Sequence, residues 1–158
     1  MSLVVQYQQA RHQEDLARLR RALALRALVA TGSSQREIAD ALGVSQPAVS
    51  QQLKASRAVT AAVHPETLLA AAAPVLVDVA RSKGFDRLAV FGSVARGDAR
   101  ADSDIDLLVE APAGAAIKEL VELQRIFQEI LGRPVDLVTY GGLKPTIDAD
   151  IRAQAVRL

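Results

Sequence analysis

Two aspartates one residue apart, Asp104 and Asp106, stand at the head of an otherwise apolar run, Ile105 to Val109. On a strand, residues i and i+2 share a face, so a strand here holds two carboxylates side by side. Left unpaired they repel and one pKa rises. A divalent cation relieves the repulsion, and hard oxygen ligands suit Mg²⁺. A third acid, Asp136, is the second residue of another apolar run, Val135 to Thr139. Among Val135, Leu137 and Val138 a charge is costly unless paired or metal-bound. If the two strands lie together, Asp136 joins the pair. Upstream, Leu88 to Phe91 reads as a buried strand ending at Gly92-Ser93. Gly92 lets backbone approach a bulky anion, and Ser93 offers a hydroxyl and an N–H. A helical turn from Val94 to Gly97 would point free N–H groups at the same place, forming a phosphate cradle. Three carboxylates and such a cradle amount to a two-metal phosphoryl-transfer site.

The 158 residues fit one ordinary domain or two small ones. Half are hydrophobic and the charges are mixed, which argues against disorder. The absence of cysteine excludes a disulfide scaffold and Cys-ligated zinc or iron–sulfur centres. His12 and His64 are far apart in sequence, so a His-rich metal site is not expected. No apolar run is long enough to read as a membrane span, and the first residues lack the pattern of a secretory signal. A soluble cytoplasmic protein is the expectation. Residues 1–64 carry 8 Lys/Arg against 4 Asp/Glu, and residues 65–158 carry 11 against 14. A basic half joined to an acidic half points to two tasks.

In the basic half, Leu16, Leu19, Leu23, Ala27 and Ala30 recur at helical spacing and predict a helix from about Arg11 to Ala30, with Arg18, Arg21 and Arg26 off the stripe. Ser34 and Glu37 form a capping-box pair opening a short helix, Gln35 to Leu42, that Gly43 ends. Ser45 caps a third helix, with Pro47 in its first turn, running to about Arg57. Ile38 and Leu42 are expected to face inward, Ala39 to allow a close crossing, and Val44, Val49 and Leu53 to anchor the third helix. Residues Gln35 to Lys54 resemble the helix-turn-helix of bacterial transcription regulators. On that resemblance the outer face carries Gln46, Ser50, Gln51 and Lys54. Glutamine pairs bidentately with adenine, Lys54 and Arg57 meet phosphates, and Arg36 touches the backbone. The alternative is a three-helix bundle serving dimerisation alone. A DNA-binding form is expected to be a homodimer engaging two half-sites.

In the acidic half, Ala58 to His64 reads as a connector and Pro65 to Ser82 as an Ala-rich helix that Pro74 should kink or break. An amphipathic helix spans Ala115 to Leu131 and stops at Gly132-Arg133-Pro134. A last helix is predicted from about Pro145 to Val156, with Ile147, Ile151 and Ala155 on its inner face. Arg87, Arg100 and Arg133 read as ordinary surface charges. Tyr140 either stacks on a base or covers the sheet edge, the second being favoured.

Gly92-Ser93, ten residues, Asp104-Ile105-Asp106, then Asp136 on a later strand: this order resembles the nucleotidyltransferase fold of the DNA polymerase β superfamily, in its minimal branch, over roughly Pro65 to Leu158. The resemblance implies an α+β chain. A three-helix helix-turn-helix domain occupies 1–62, and a small nucleotidyltransferase domain, a short mixed sheet flanked by helices, occupies 63–158. It implies that Asp104, Asp106 and Asp136 hold two Mg²⁺ ions and catalyse. Gly92 and Ser93 hold the triphosphate of ATP, and Ser103 orients Asp104. Arg96 either contacts the triphosphate or offsets Asp98. Larger relatives add an acceptor-binding domain, so a unit this small is expected to borrow acceptor contacts from a partner or a second copy. Minimal nucleotidyltransferases pair as a family with HEPN-domain toxins. This implies an antitoxin that transfers AMP to a toxin tyrosine. The combination with a helix-turn-helix, rather than the resemblance, adds the expectation of operator DNA binding for autoregulation. The competing expectation is a transcriptional regulator that binds nucleotide as a signal. Transfer to a small molecule is disfavoured without an acceptor domain.

Overall fold

A computed structural model describes residues 2–146 and 148–158. Three helices open the chain: α1 (Leu3–Ala30), α2 (Gln35–Leu42) and α3 (Gln46–Ala61). α4 (Pro65–Ser82) leads into strand β1 (Asp86–Phe91), the short helix α5 (Gly92–Arg96) and strand β2 (Ile105–Glu110). α6 (Ile117–Leu131), β3 (Val135–Thr139), α7 (Ala149–Gln154) and β4 (Val156–Arg157) complete it. The architecture is the expected α+β one: a helix-turn-helix region followed by a small mixed sheet with helices. The sheet order is β3-β2-β1-β4. β2 runs parallel to β3, and β1 runs antiparallel to both β2 and β4.

The two faces of the sheet bury different things. Ile105, Leu107 and Val109 of β2, with Val135 and Leu137 of β3, enter the main core against α4 and α6. The alternate residues point the other way, as strand pleating requires. There Leu108 packs with Ala89, Phe91 and Leu143, beside the half-buried Val138, Ile151 and Ala155. Asp106 and Asp136 share the parity of Leu108 and Val138, so their carboxylates leave the main core entirely. Asp136 is exposed and Asp106 half-buried. The cost of a charge inside an apolar strand, expected from the sequence for Asp136, is avoided by this alternation.

α1 serves both halves. Leu19, Leu23, Ala27 and Ala30 lie in the main core with Leu68, Leu76, Leu123 and Phe127. Leu25, on another side of the same helix, closes a smaller core with Ile38, Ala39 and Val49. Arg26 fastens α1 to the far end of α6. Its Nε donates to the Ile130 carbonyl at 2.8 Å and its Nη2 to the Glu129 carbonyl, while Nη1 reaches Ser56 Oγ at 3.5 Å. The last carbonyls of a helix lack intrahelical partners, and this arginine supplies them from another element.

Several boundaries differ from the sequence reading. α1 begins at Leu3, where Ser2 Oγ accepts the Val5 N–H. α3 continues to Ala61, so most of the expected connector is helical. Thr60 Oγ1 bonds back to the Ser56 carbonyl and both side chains are buried. α4 passes through Pro74 unbroken. The expected terminal helix is confined to Ala149–Gln154, and Val156 and Arg157 instead pair with β1. Ile147, assigned to that helix from sequence, lies outside the described residues.

Candidate active site

β1 delivers the chain to the site. Phe91 pairs with Asp106 across the antiparallel ladder, and Gly92 then turns with φ +70° into α5. A Cβ on Gly92 would stand 2.2 Å from Asp106 Oδ2 and 3.1 Å from its Cγ. Glycine is therefore required twice over, by the left-handed backbone and by the carboxylate packed against it.

The parallel register places Asp106 directly opposite Asp136. Asp104 lies immediately before β2, two residues from Asp106. Burial raises the Asp106 pKa most, followed by the charges of Asp136 and Asp104, while Arg96 acts in the opposite direction. Asp104 and Asp136 thus both lie within electrostatic reach of Asp106. The donor set is all hard oxygen, which fits Mg²⁺ rather than a softer metal. Among the described residues no three His, Cys, Asp or Glu side chains converge on one point closely enough to enclose an ion.

Arg96 ends α5 and makes one of the two contacts weighed for it, the pairing with Asp98. Its Nε meets Asp98 Oδ2 at 3.3 Å, and its positive charge is felt at Asp106. Its Nη1 also donates to Gln154 Oε1 at 3.3 Å, which brings α7 to the rim of the site. Nothing in the sequence singled out Gln154. Ser103 Oγ accepts the Arg100 N–H at 2.7 Å and the Ser103 N–H returns to the Arg100 carbonyl at 3.0 Å. Its hydroxyl closes a turn in the loop before Asp104. Ser93 is half-buried one residue into α5.

Two arginines read as surface charges are more than that. Arg133 is half-buried and donates to three backbone carbonyls. Arg87 adopts φ +53°, pairs with Glu110 and lies over the Tyr140 ring, 4.5 Å from its centroid. Tyr140 Oη donates to the Arg87 carbonyl at 3.2 Å. Tyr140 follows β3 at the end away from Asp136 and packs on the sheet face beside Ala89, Phe91, Leu108 and Leu143. Arg100 is exposed.

The helix-turn-helix forms as its caps dictate. Ser34 Oγ accepts the Glu37 N–H at 3.2 Å and Glu37 Oε2 accepts the Ser34 N–H at 2.7 Å. Gly43 turns with φ +67°, and Ser45 Oγ accepts the Ala48 N–H. Ile38, Ala39 and Val49 are buried and Leu53 packs against them. Leu42 and Val44 do not join them: they are 54% and 41% exposed. The residues flanking Gly43 remain outside the small core that Leu25, Ile38, Ala39 and Val49 fill. Arg36, Gln46, Gln51, Lys54 and Arg57 are exposed and Ser50 is half-buried. Ser50, Lys54 and Arg57 border an open cleft of about 600 Å³ that Arg26 and Glu129 also line.

Residues 77–157 match the family profile described as a nucleotidyltransferase domain. The chain belongs to this nucleotidyltransferase family. Residues 21–72 of the enzyme match a second profile, described as Cro, which covers the helix-turn-helix. A protein of Methanocaldococcus jannaschii that carries a protein adenylyltransferase name is 36% identical over 81 residues, covering 51% of this chain and 87% of the relative. The protein adenylyltransferase MntA of Thermococcus cleftensis is 36% identical over 73 residues, covering 46% of this chain and 74% of the relative. A solved structure described as a minimal nucleotidyltransferase superposes with a TM-score of 0.56 at 34% identity, covering 61% of this chain and 98% of the other. The nucleotidyltransferase is thus of the minimal kind, carrying an N-terminal helix-turn-helix. No helix among the described residues is long and apolar enough to cross a membrane.

Proposed function

We propose that this nucleotidyltransferase transfers AMP from ATP to a hydroxyl of a protein, and that it does so as the antitoxin of a HEPN-type toxin. The observation that carries the transfer is the register of Asp106 opposite Asp136, with Asp104 two residues away and Gly92 against the Asp106 carboxylate. The protein adenylyltransferase names of the relatives support AMP and a protein acceptor. Asp104, Asp106 and Asp136 would hold Mg²⁺, which supplies charge stabilisation for the triphosphate and a more acidic acceptor hydroxyl. Gly92 and Ser93 receive the phosphates where β1 passes into α5, and Arg96 adds a positive charge there. The acceptor oxygen forms a bond to the α-phosphorus as the bond from that phosphorus to the bridging oxygen breaks. The acceptor's proton passes to a carboxylate oxygen of Asp136, and pyrophosphate leaves with the electron pair.

The helix-turn-helix would bind operator DNA as a homodimer and couple supply of the antitoxin to its own promoter. Exposed Gln46 and Gln51 read bases, and Arg36, Lys54 and Arg57 meet phosphates.

The deciding experiment incubates the purified protein with radiolabelled ATP and Mg²⁺, with and without the protein encoded beside it, followed by gel and intact mass. Label on the neighbour that Asp104→Asn abolishes is the expected result. No label on any protein, with nucleotide still bound, would replace this reading with a nucleotide-sensing regulator.

A further inference from the structure

Arg133 sits between the α6 C-cap, Gly132, and β3, three residues before Asp136. Its guanidinium spends its donors on backbone alone. Nη1 meets the carbonyls of Ala101 at 3.1 Å and Ser103 at 3.3 Å, and Nη2 meets the Val63 carbonyl at 3.1 Å. The next residue continues the attachment, since the Pro134 carbonyl accepts the Ile105 N–H at 3.2 Å. Asp104 lies between the two gripped residues. Its preceding carbonyl is held by Arg133 and its following N–H by Pro134, and both belong to the segment that leads into Asp136.

Asp104 itself is exposed and precedes the β2 ladder, so neither burial nor strand pairing fixes its own backbone. The loop behind it, from Ala99, is otherwise tied by the Ser103–Arg100 turn and by His64 Nε2 against the Ala99 carbonyl at 3.1 Å. A planar fork with several fixed donors satisfies three carbonyls arriving from two segments, the loop before β2 and the short stretch ahead of α4. An ammonium group presents a single centre and cannot span them. We infer that Arg133 is a positioning residue: it fixes the Asp104 backbone against the segment carrying Asp136 and so sets the spacing of the carboxylates that receive metal and nucleotide. The inference rests on the reading of those aspartates given above.

The test uses the full chain and Mn²⁺ with ATP as the probe, the bound ion being counted by electron paramagnetic resonance well below the melting temperature. The proteins are wild type, Asp104→Asn, Arg133→Ala, Arg133→Lys and the double variant Arg133→Lys/Asp104→Asn. Arg133→Ala should weaken Mn²⁺–ATP binding roughly tenfold or more, as loss of a group supporting metal ligands does. Arg133→Lys should fall between Ala and wild type. The double variant should bind no more weakly than Asp104→Asn alone, because both changes act through one carboxylate. Arg133 variants that are folded by circular dichroism and bind as wild type does would overturn the inference, as would losses that add in the double variant. If Arg133→Ala fails to fold, Arg133→Lys and its double variant decide. A wild type that takes up no Mn²⁺–ATP removes the site reading itself, and a wild type that binds but is indifferent to Asp104→Asn removes Asp104 from the site.

Discussion

Gly92 and Asp106 are packed so closely that the first carbon of any side chain at position 92 would fall 2.2 Å from the Asp106 carboxylate oxygen Oδ2. The contact joins the turn after β1 to the acid on β2. Gly92→Ala therefore forces the carboxylate aside and places a Cβ at φ +70°, which by itself costs about 1–2 kcal/mol. The variant is expected to fold with a lowered melting temperature and to lose nucleotide transfer. Calorimetry together with the labelled-ATP assay checks both, and undiminished transfer would remove Gly92 from the site.

The second prediction concerns pH. Burial first, then Asp136 and Asp104, hold the Asp106 pKa above its ordinary value. The folded chain therefore binds this proton more tightly than the unfolded chain does. Stability from this group is complete below the ordinary carboxylate pKa of about 4 and is lost as pH rises through the raised one. Glu37 and Glu122 have lowered pKa values and give the opposite slope, so the effect is read as a difference between proteins. In chelator, the melting temperature of wild type relative to Asp106→Asn should fall as pH rises across that window. A flat difference would contradict the assigned environment.

DNA binding gives the third. Lys54 is exposed on α3 beside Arg57. If it meets a phosphate, Lys54→Ala weakens binding to all duplexes alike and lowers the slope of log affinity against log salt by about 1 for each copy bound. Gln51→Ala should leave that slope unchanged and blunt preference for the promoter over random DNA. Fluorescence anisotropy across a salt series separates the two.

Two arginines provide the fourth. Arg125 makes exposed ion pairs with Glu122 and Glu129 one turn either side of it, and these raise its pKa. Such pairs contribute little in water. Arg26 is half-buried, and its bonds end on the last carbonyls of another helix. Arg26→Ala should cost about 2–3 kcal/mol, since hydrogen bonds from a charged donor are lost and partly buried carbonyls are left unpaired. Arg125→Ala should melt close to wild type. Equal losses would place the strength of the molecule in surface charge rather than at the α1–α6 junction.

Much of this was legible because it is local. The Ser34–Glu37 capping box, the glycine turns and the apolar strands are written in neighbouring residues. The nearness of Asp104 to Asp106 follows from their two-residue spacing alone, although the strand begins only at Ile105. The facing of Asp136 needed a parallel pairing across α6, which no neighbouring residue specifies; it was anticipated only as a condition. Arg133 and Gln154 were out of reach for another reason. Their partners are backbone carbonyls and one arginine from distant segments, and a carbonyl has no signature in sequence. Leu42 and Val44 were misread because apolar character was taken to mean burial, whereas the small core closed by Leu25 is filled by Ile38, Ala39 and Val49 and leaves the residues at the turn outside.

The double membership of α1 limits how this chain can be cut or recombined. A cleavage after residue 62 would take Leu19, Leu23, Ala27 and Ala30 away from Leu68, Leu76, Leu123 and Phe127, baring an apolar wall on the catalytic fragment. The reading head would keep Leu25 but lose the body against which α1 is braced. Grafting this helix-turn-helix onto another catalytic unit therefore transplants a seam as well as a module, and the recipient must offer a matching groove.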